Sequence, residues 1–308
     1  MLGKKLKHTV LGAASAGAMI FGLGISSASA VPVFTINPKS LPGISGYSQT
    51  QQSDINGTSQ ALHQQTGPST QFEQGWLQIA SYTNNGVGSN FLTTGLLNGG
   101  ALANTYGMYA TFTATAHGIS GFGANQAGTV AAGDFHFSLF ADIGNNNTFT
   151  VGATSATGGT APTVIDNGGN DIVLAVATSL SGSAGFQANT GAPIFSTTNA
   201  FVLCNGTANQ GLLGSTLVTG GLATGCGTFD ASQYFTAPVP FFNINFVSTT
   251  AGSSGNITDL NAGPPPNALL NGIVTDLNFT TVPEPSTLFL FGTGLLALCG
   301  FVRLRSRA

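Results

Sequence analysis

Apolar and polar residues alternate with a period of two through much of the middle of this chain. From Tyr106 to Ala116, Tyr106, Met108, Ala110, Phe112 and Ala114 fall on one side and Gly107, Tyr109, Thr111, Thr113 and Thr115 on the other. That is the spacing of a β-strand with two unlike faces. Phe135-His-Phe-Ser-Leu139 repeats the pattern, and Asn145-Asn-Asn147 leading into Phe149-Thr-Val151 predicts a hairpin. Val33 to Ile36, stopped by Asn37-Pro38, predicts a short strand, and Trp76 to Thr83 another. Ile172 to Val176 is apolar throughout, which suits a strand buried on both faces. Phe201–Leu203, Leu212–Val218, Phe241–Val247 and Ile273–Val282 predict further strands. Residues 40–70, rich in Ser, Gln, Gly and Thr, read as a flexible arm; 251–271, with Pro264-Pro-Pro266, reads as a break before the last strand. The body contains neither a convincing helix nor a repeat of fixed period. Many short strands joined by Gly, Asn and Ser turns predict an all-β protein, an antiparallel β-sandwich of jelly-roll-like form.

The two ends have a different pattern. Lys4, Lys5 and Lys7 precede a mostly apolar or small stretch, Val10 to Ile25, and Ala28-Ser29-Ala30 is an Ala-x-Ala triplet. This is the layout of a helical signal peptide spanning 1–30 and cut before Val31; a retained anchor is the alternative. At the other end Pro283-Glu284-Pro285 must stay extended, because proline fixes φ and lacks an N–H. The apolar run Leu288–Val302 spans about 15 residues, roughly 22 Å as a helix and short of the ~20 residues of a comfortable span. Arg303, Arg305 and Arg307 follow, and arginines so placed stay cytoplasmic. The organisation expected is therefore 1–30 leader, 31–282 secreted β-rich domain, and 283–308 stalk, short transmembrane helix and basic end.

Charge sharpens this division. Three of the seven basic residues lie in the leader and three in the tail, so Lys39 is alone in the body against nine carboxylates, a net of −8. Such a body cannot neutralise phosphates or seek anionic lipid, which excludes nucleic acid as a partner. Cys299 belongs to the tail, leaving Cys204 and Cys226 as the only body cysteines. In an oxidising compartment an even pair predicts a disulfide, worth about 3 kcal/mol for a loop of this size; two free thiols are the alternative.

No catalytic constellation follows. His63, His117 and His136 are not at metal-ligand spacing, and the body has no His-Glu-x-x-His, Cys-x-x-Cys or Gly-x-Ser-x-Gly. Two carboxylates flanking a sugar bond have no fixed spacing in sequence by which to be found. The chain is expected not to be an enzyme and to carry no cofactor, with one alternative. Asp142 with Asn145–Asn147, and Asp166 with Asp171 across Asn-Gly-Gly-Asn, supply short oxygen side chains that suit calcium. The same residues are those that tight turns require.

Val282-Pro-Glu-Pro-Ser-Thr, the run Leu288-Phe-Leu-Phe-Gly-Thr-Gly-Leu-Leu-Ala-Leu and the arginines resemble the PEP-CTERM sorting signal. The resemblance implies recognition by exosortase, transient inner-membrane anchoring, a cut near Pro283–Pro285 and release to the cell surface or extracellular matrix. Within the body, Val33-Phe-Thr-Ile-Asn-Pro38, Gly75-Trp-Leu-Gln-Ile79, Tyr106-Gly-Met-Tyr-Ala-Thr-Phe112, Phe137-Ser-Leu-Phe-Ala-Asp142 and Pro240-Phe-Phe-Asn-Ile-Asn-Phe246 occur in the order in which the flocculation-associated PEP-CTERM protein family has similar segments. That likeness implies cell aggregation in a biofilm or floc, through exopolysaccharide or self-association. A secreted glycan-active enzyme and a calcium-dependent lectin are the rival expectations.

Overall fold

Alternation on this scale is realised as paired strands. The computed structural model describes residues 34–45, 49–52, 54–84, 87–89, 106–122, 125–186, 193–204, 210–213, 216–219, 226, 228–237, 244–249 and 256–281, all within the unit Pro32–Ala308. In chain order the strands are β1 (Phe34–Ile36), β2 (Thr50–Gln52), β3 (Asp54–Gly67), β4 (Thr70–Asn84), β5 (Val87–Ser89) and β6 (Tyr106–His117). They continue as β7 (Ala127–Val130), β8 (Phe135–Ile143), β9 (Thr148–Phe149), β10 (Val164–Ile165), β11 (Ile172–Phe186) and β12 (Pro193–Leu203). The last are β13 (Gln210–Leu213), β14 (Thr216–Thr219), β15 (Phe235–Ala237), β16 (Ile244–Thr249), β17 (Asn256–Asn261) and β18 (Asn267–Thr281). Two 3-10 turns, Pro38–Ser40 and Ala231–Gln233, are the only helical elements among the described residues.

The main sheet returns to its own beginning. β3 pairs with β4, β4 with β6, β6 with β8 and β8 with β11. β11 then pairs with β12, β12 with β16, β16 with β18 and β18 with β3. Every ladder is antiparallel, and each strand lies beside the next in sequence, so the wall is a closed up-and-down ring of eight strands. Closure leaves these strands without an open edge. The antiparallel all-β expectation holds, and opposite walls pack across one core as the two sheets of a sandwich do. The connections differ from the jelly-roll-like form: they follow the meander, because consecutive strands pair locally and no crossing connection is needed.

Period-two alternation sets the two sides of the wall. One inward row reads Leu77, Ala110, Leu139, Ala175 and Leu203 across five adjacent strands, large beside small, which lets facing side chains interdigitate. These five belong to a single buried cluster with Ile55, Ile79, Met108, Phe135, Phe137 and Phe186. Two outward rows across β4, β6 and β8 read Gln74, Thr113 and His136, then Trp76, Thr111 and Ser138, while Val173, Val176 and Val202 form a second, smaller apolar cluster.

Each end of the ring is closed by a different device. At one end a small sheet, β15–β1–β2, brings Phe34, Ile36 and Phe235 into the core. Here the Tyr234 hydroxyl lies 3.1 Å from that of Tyr82 and 3.2 Å from that of Tyr106, and Met108 Sδ accepts from both Tyr82 and Tyr234. The Cys204–Cys226 disulfide ties the end of β12 to the segment entering this cap, as expected from the cysteine count. Ala231 N also donates to Cys204 O at 2.7 Å. At the opposite end the loop after β6 is held by Gln71 Nε2, which donates to Gly121 O at 2.8 Å, and by Gln65 Nε2, which donates to Ile119 O at 3.3 Å.

Three segments depart from expectation. Residues 40–70 are not a free arm, since they contain β2 and β3, and β3 is laddered on both sides, to β4 and β18. Its inward positions include Ser59 and His63 as well as Ile55 and Ala61, so its apolar pattern is faint although its position is central. The stretch 251–271 holds β17 and the start of β18, paired with each other. Asn145–Asn147 does not turn β8 back on itself; Phe149 pairs with Val164 instead.

Candidate functional site

Between β8 and β11 the chain leaves the wall and crosses its outer face as a strap. The strap is held together by its own pairing, Thr148 with Ile165, Phe149 with Val164 and Ala153 with Thr160. Its contacts run across successive wall strands. Trp76 Nε1 on β4 donates to Thr150 O at 3.0 Å, and Gly152 N donates to Gln60 Oε1 on β3 at 3.0 Å. Ser155 N donates to Asn267 Oδ1 on β18 at 3.1 Å, and Asn267 Nδ2 donates back to Ser155 O at 2.7 Å. Beneath it lies an aromatic ladder: Trp76 edge-on to Phe149 at 5.1 Å, Phe149 edge-on to Tyr109 at 5.8 Å, and Tyr109 stacked on Phe140 at 4.7 Å. Such pairs add about 0.5–1.5 kcal/mol each beyond the area they bury.

Asp142, Asp166 and Asp171, the candidate calcium oxygens, do come together, at the two ends of this strap. Asp142 Oδ1 accepts from Asn146 N at 3.1 Å and Oδ2 from Asn147 N at 3.0 Å, which turns the chain off β8. Asp166 Oδ1 accepts from Gly168 N at 2.9 Å and Gly169 N at 2.7 Å, which turns it back toward β11. Asp171 Oδ2 joins the two turns by accepting from Asn147 Nδ2 at 2.7 Å and from the Tyr109 hydroxyl. Burial raises the Asp142 and Asp171 carboxyls; the donors just named lower both, and the charge of Asp166 raises both again. Burial first, then Asp171, pushes the Tyr109 hydroxyl well above the ordinary phenol range, so it stays a donor. The cluster is a clasp made of turn chemistry, and no three carboxylate, histidine or cysteine groups among the described residues are placed to share a metal ion.

Strap and wall enclose a groove of about 390 Å³. Its floor is the outward rows of β4, β6 and β8, with Gln74, Thr111, Thr113, His136 and Ser138, and its side is the strap at Thr163. His136 is exposed, as its place between Phe135 and Phe137 predicts. His117 sits apart at the end of β6, with Nε2 2.9 Å from Asp134 Oδ2.

His63 is elsewhere altogether, inside the ring, directly across from Glu73. Its Nδ1 is 3.8 Å from Glu73 Oε2, and neither ring nitrogen has a hydrogen-bond partner. The ring lies edge-on to Phe122 at 5.7 Å and tilted against Phe186 at 6.1 Å. Burial lowers His63 to about 4, opposed in part by the Gln71 side chain, and burial raises Glu73 to about 7. The pair is enclosed rather than presented. Sequence reasoning missed both it and the groove, because each depends on which strands are neighbours; only the alternation that assigns faces was there to be read.

The sorting residues Ala28, Ala30, Val282, Pro283, Glu284, Pro285, Arg303, Arg305 and Arg307 lie outside the described residues. Among the described ones no helix is long and apolar enough to cross a membrane. Residues 281–306 match the family model of the PEP-CTERM protein-sorting motif. The chain carries a PEP-CTERM sorting motif. The motif brings with it export, anchoring in the membrane before sorting, and processing by exosortase. No curated protein and no solved structure matches the chain.

Proposed function

We propose that this protein works after sorting, at the cell surface or in the extracellular matrix, by holding cells together through exopolysaccharide. The observation that carries the reading is the sorting motif at 281–306, joined to a barrel whose described outer wall offers hydroxyl and carboxamide groups. Hydroxyls and amides exchange hydrogen bonds with sugars, and a body with one lysine limits charge-driven alternatives. The described carboxyl clusters favour binding over turnover: Asp142, Asp166 and Asp171 are committed to the strap clasp, and Glu73 faces His63 inside the ring. The likeness of the body segments to the flocculation-associated family points the same way.

A deletion strain should settle more slowly than its parent, and added purified protein should restore settling and co-sediment with isolated exopolysaccharide. Normal settling together with exopolysaccharide of altered chain length would replace the adhesive role with glycan processing.

A further inference from the structure

We infer that the groove between the strap and the β4–β6–β8 wall is the sugar-binding site, and that it takes an uncharged glycan segment. The inference rests on the adhesive reading above and assigns that reading a place. Five polar side chains on its floor, Gln74, Thr111, Thr113, His136 and Ser138, make no side-chain hydrogen bond among the described residues. Elsewhere on the same outer face polar side chains are committed: Gln60 donates to Asn271 Oδ1 at 2.8 Å and accepts from Gly152 N, and Asn267 exchanges two bonds with Ser155. The groove therefore concentrates unspent donors and acceptors where the rest of the strap-covered wall has used them.

Cross-strand registry arranges these groups in two rows, Gln74–Thr113–His136 and Thr111–Ser138, with adjacent strands separated by about 4.8 Å. Sugar hydroxyls recur on a comparable scale, so one ring can meet groups from two strands at once. The volume of about 390 Å³ falls within the roughly 300–1,000 Å³ of small-ligand sites. The strap is fixed by Trp76, Gln60 and Asn267, so the groove is formed before a ligand arrives, which lowers the ordering cost of binding.

Charge selects the glycan class. Among the described residues lining the groove none is a lysine, arginine, aspartate or glutamate. With Lys39 the sole lysine or arginine of residues 31–282 and nine carboxylates present, a uronate or other acidic sugar meets no lysine or arginine in the groove and a net negative field. An uncharged glycan loses nothing by this.

The experiment titrates the full exported protein with cellopentaose, xylopentaose, maltopentaose and oligogalacturonate by calorimetry. Ser138→Trp fills the groove, and the double variant Gln74→Ala/His136→Ala empties it of two polar heads without adding bulk. At least one neutral oligosaccharide should bind, oligogalacturonate should not, and each variant should weaken binding about tenfold or more, as expected when ligand groups lose their partners. Should Ser138→Trp fail to fold, the double variant decides. Binding that survives in the double variant, preference for oligogalacturonate, or no neutral oligosaccharide bound would each overturn the assignment. The adhesive reading is separable: if both variants still co-sediment with isolated exopolysaccharide as wild type does, the groove is wrong and the adhesion stands. If wild type binds neither, both fall.

Discussion

Replacing Glu73 by glutamine should change how stability responds to pH more than it changes stability itself. Glu73 and His63 face each other inside the ring. Burial raises Glu73 from 4.5 to about 7 and lowers His63 from 6.5 to about 4. Between pH 4.5 and 6.5 the fold therefore holds a neutral acid beside a neutral imidazole, while the unfolded chain holds a carboxylate and an imidazolium. Unfolding in that window passes one proton from glutamate to histidine and takes none from solvent, so this pair leaves wild-type stability flat there.

The flatness is a cancellation of two slopes. As pH rises from 4.5 to 7, the fold keeps a glutamate proton that the unfolded chain has released, and stability falls. As pH falls from 6.5 to 4, the unfolded chain takes a histidine proton that the fold does not, and stability falls again. Each group is displaced by about 2.5 pH units, which at about 1.4 kcal/mol per unit makes each slope about 3 kcal/mol in all. Glu73→Gln keeps the shape and the neutral head of the protonated acid, so it deletes only the first slope. The unfolding free energy of the variant minus that of wild type should grow by about 3 kcal/mol between pH 4.5 and about pH 7.5. His63→Gln should show the mirror image, gaining on wild type as pH falls from 6.5 to 4. Urea denaturation followed by the fluorescence of Trp76, the sole tryptophan, measures both. A Glu73→Gln difference that stays constant across this range would mean that Glu73 is not held neutral in the barrel, and the argument would fail.

Two further outcomes test the frame around the site. Replacing Cys204 and Cys226 together by alanine should lower stability by about 3 kcal/mol, read by urea denaturation, with the Tyr234 cap the first region to lose hydrogen-exchange protection; unreduced wild type should show no free thiol. Gly75→Ala should cost about 1–3 kcal/mol, because a Cβ there would stand 2.1 Å from Gln60 O and 2.7 Å from Ala61 Cα. An alanine variant with wild-type stability would show that β3 and β4 do not approach so closely.

Much of this fold was legible because a strand's period is short and local. Tyr106–Ala116 and Phe135–Leu139 show their two faces in any window of five residues, and both became wall strands with those faces as read. Ring closure was not legible, since the pairings of β18 with β3 and of β11 with β12 depend on partners that alternation does not name. β3 was the plainest loss: its inward Ser59 and His63 weaken the apolar signal, and only its neighbours on both sides define it as a wall strand. Turn chemistry misled in one place for a related reason. Asn145–Asn147 and Asp166–Asp171 were rightly read as turns, but a turn's residues do not say whether the chain returns to its own strand or departs across the sheet.

The sorting motif and the barrel meet at one residue. β18 closes the ring against β3 and ends at Thr281, and the matched motif begins at 281. The described ladders of β18 to β3 and β16 run no further than Thr281, so a cut near Pro283–Pro285 would remove none of the described wall pairings. Pro283 and Pro285 lack the N–H that a ladder bond would need. On the adhesive reading proposed above, the described wall offered after processing is then the one present before it.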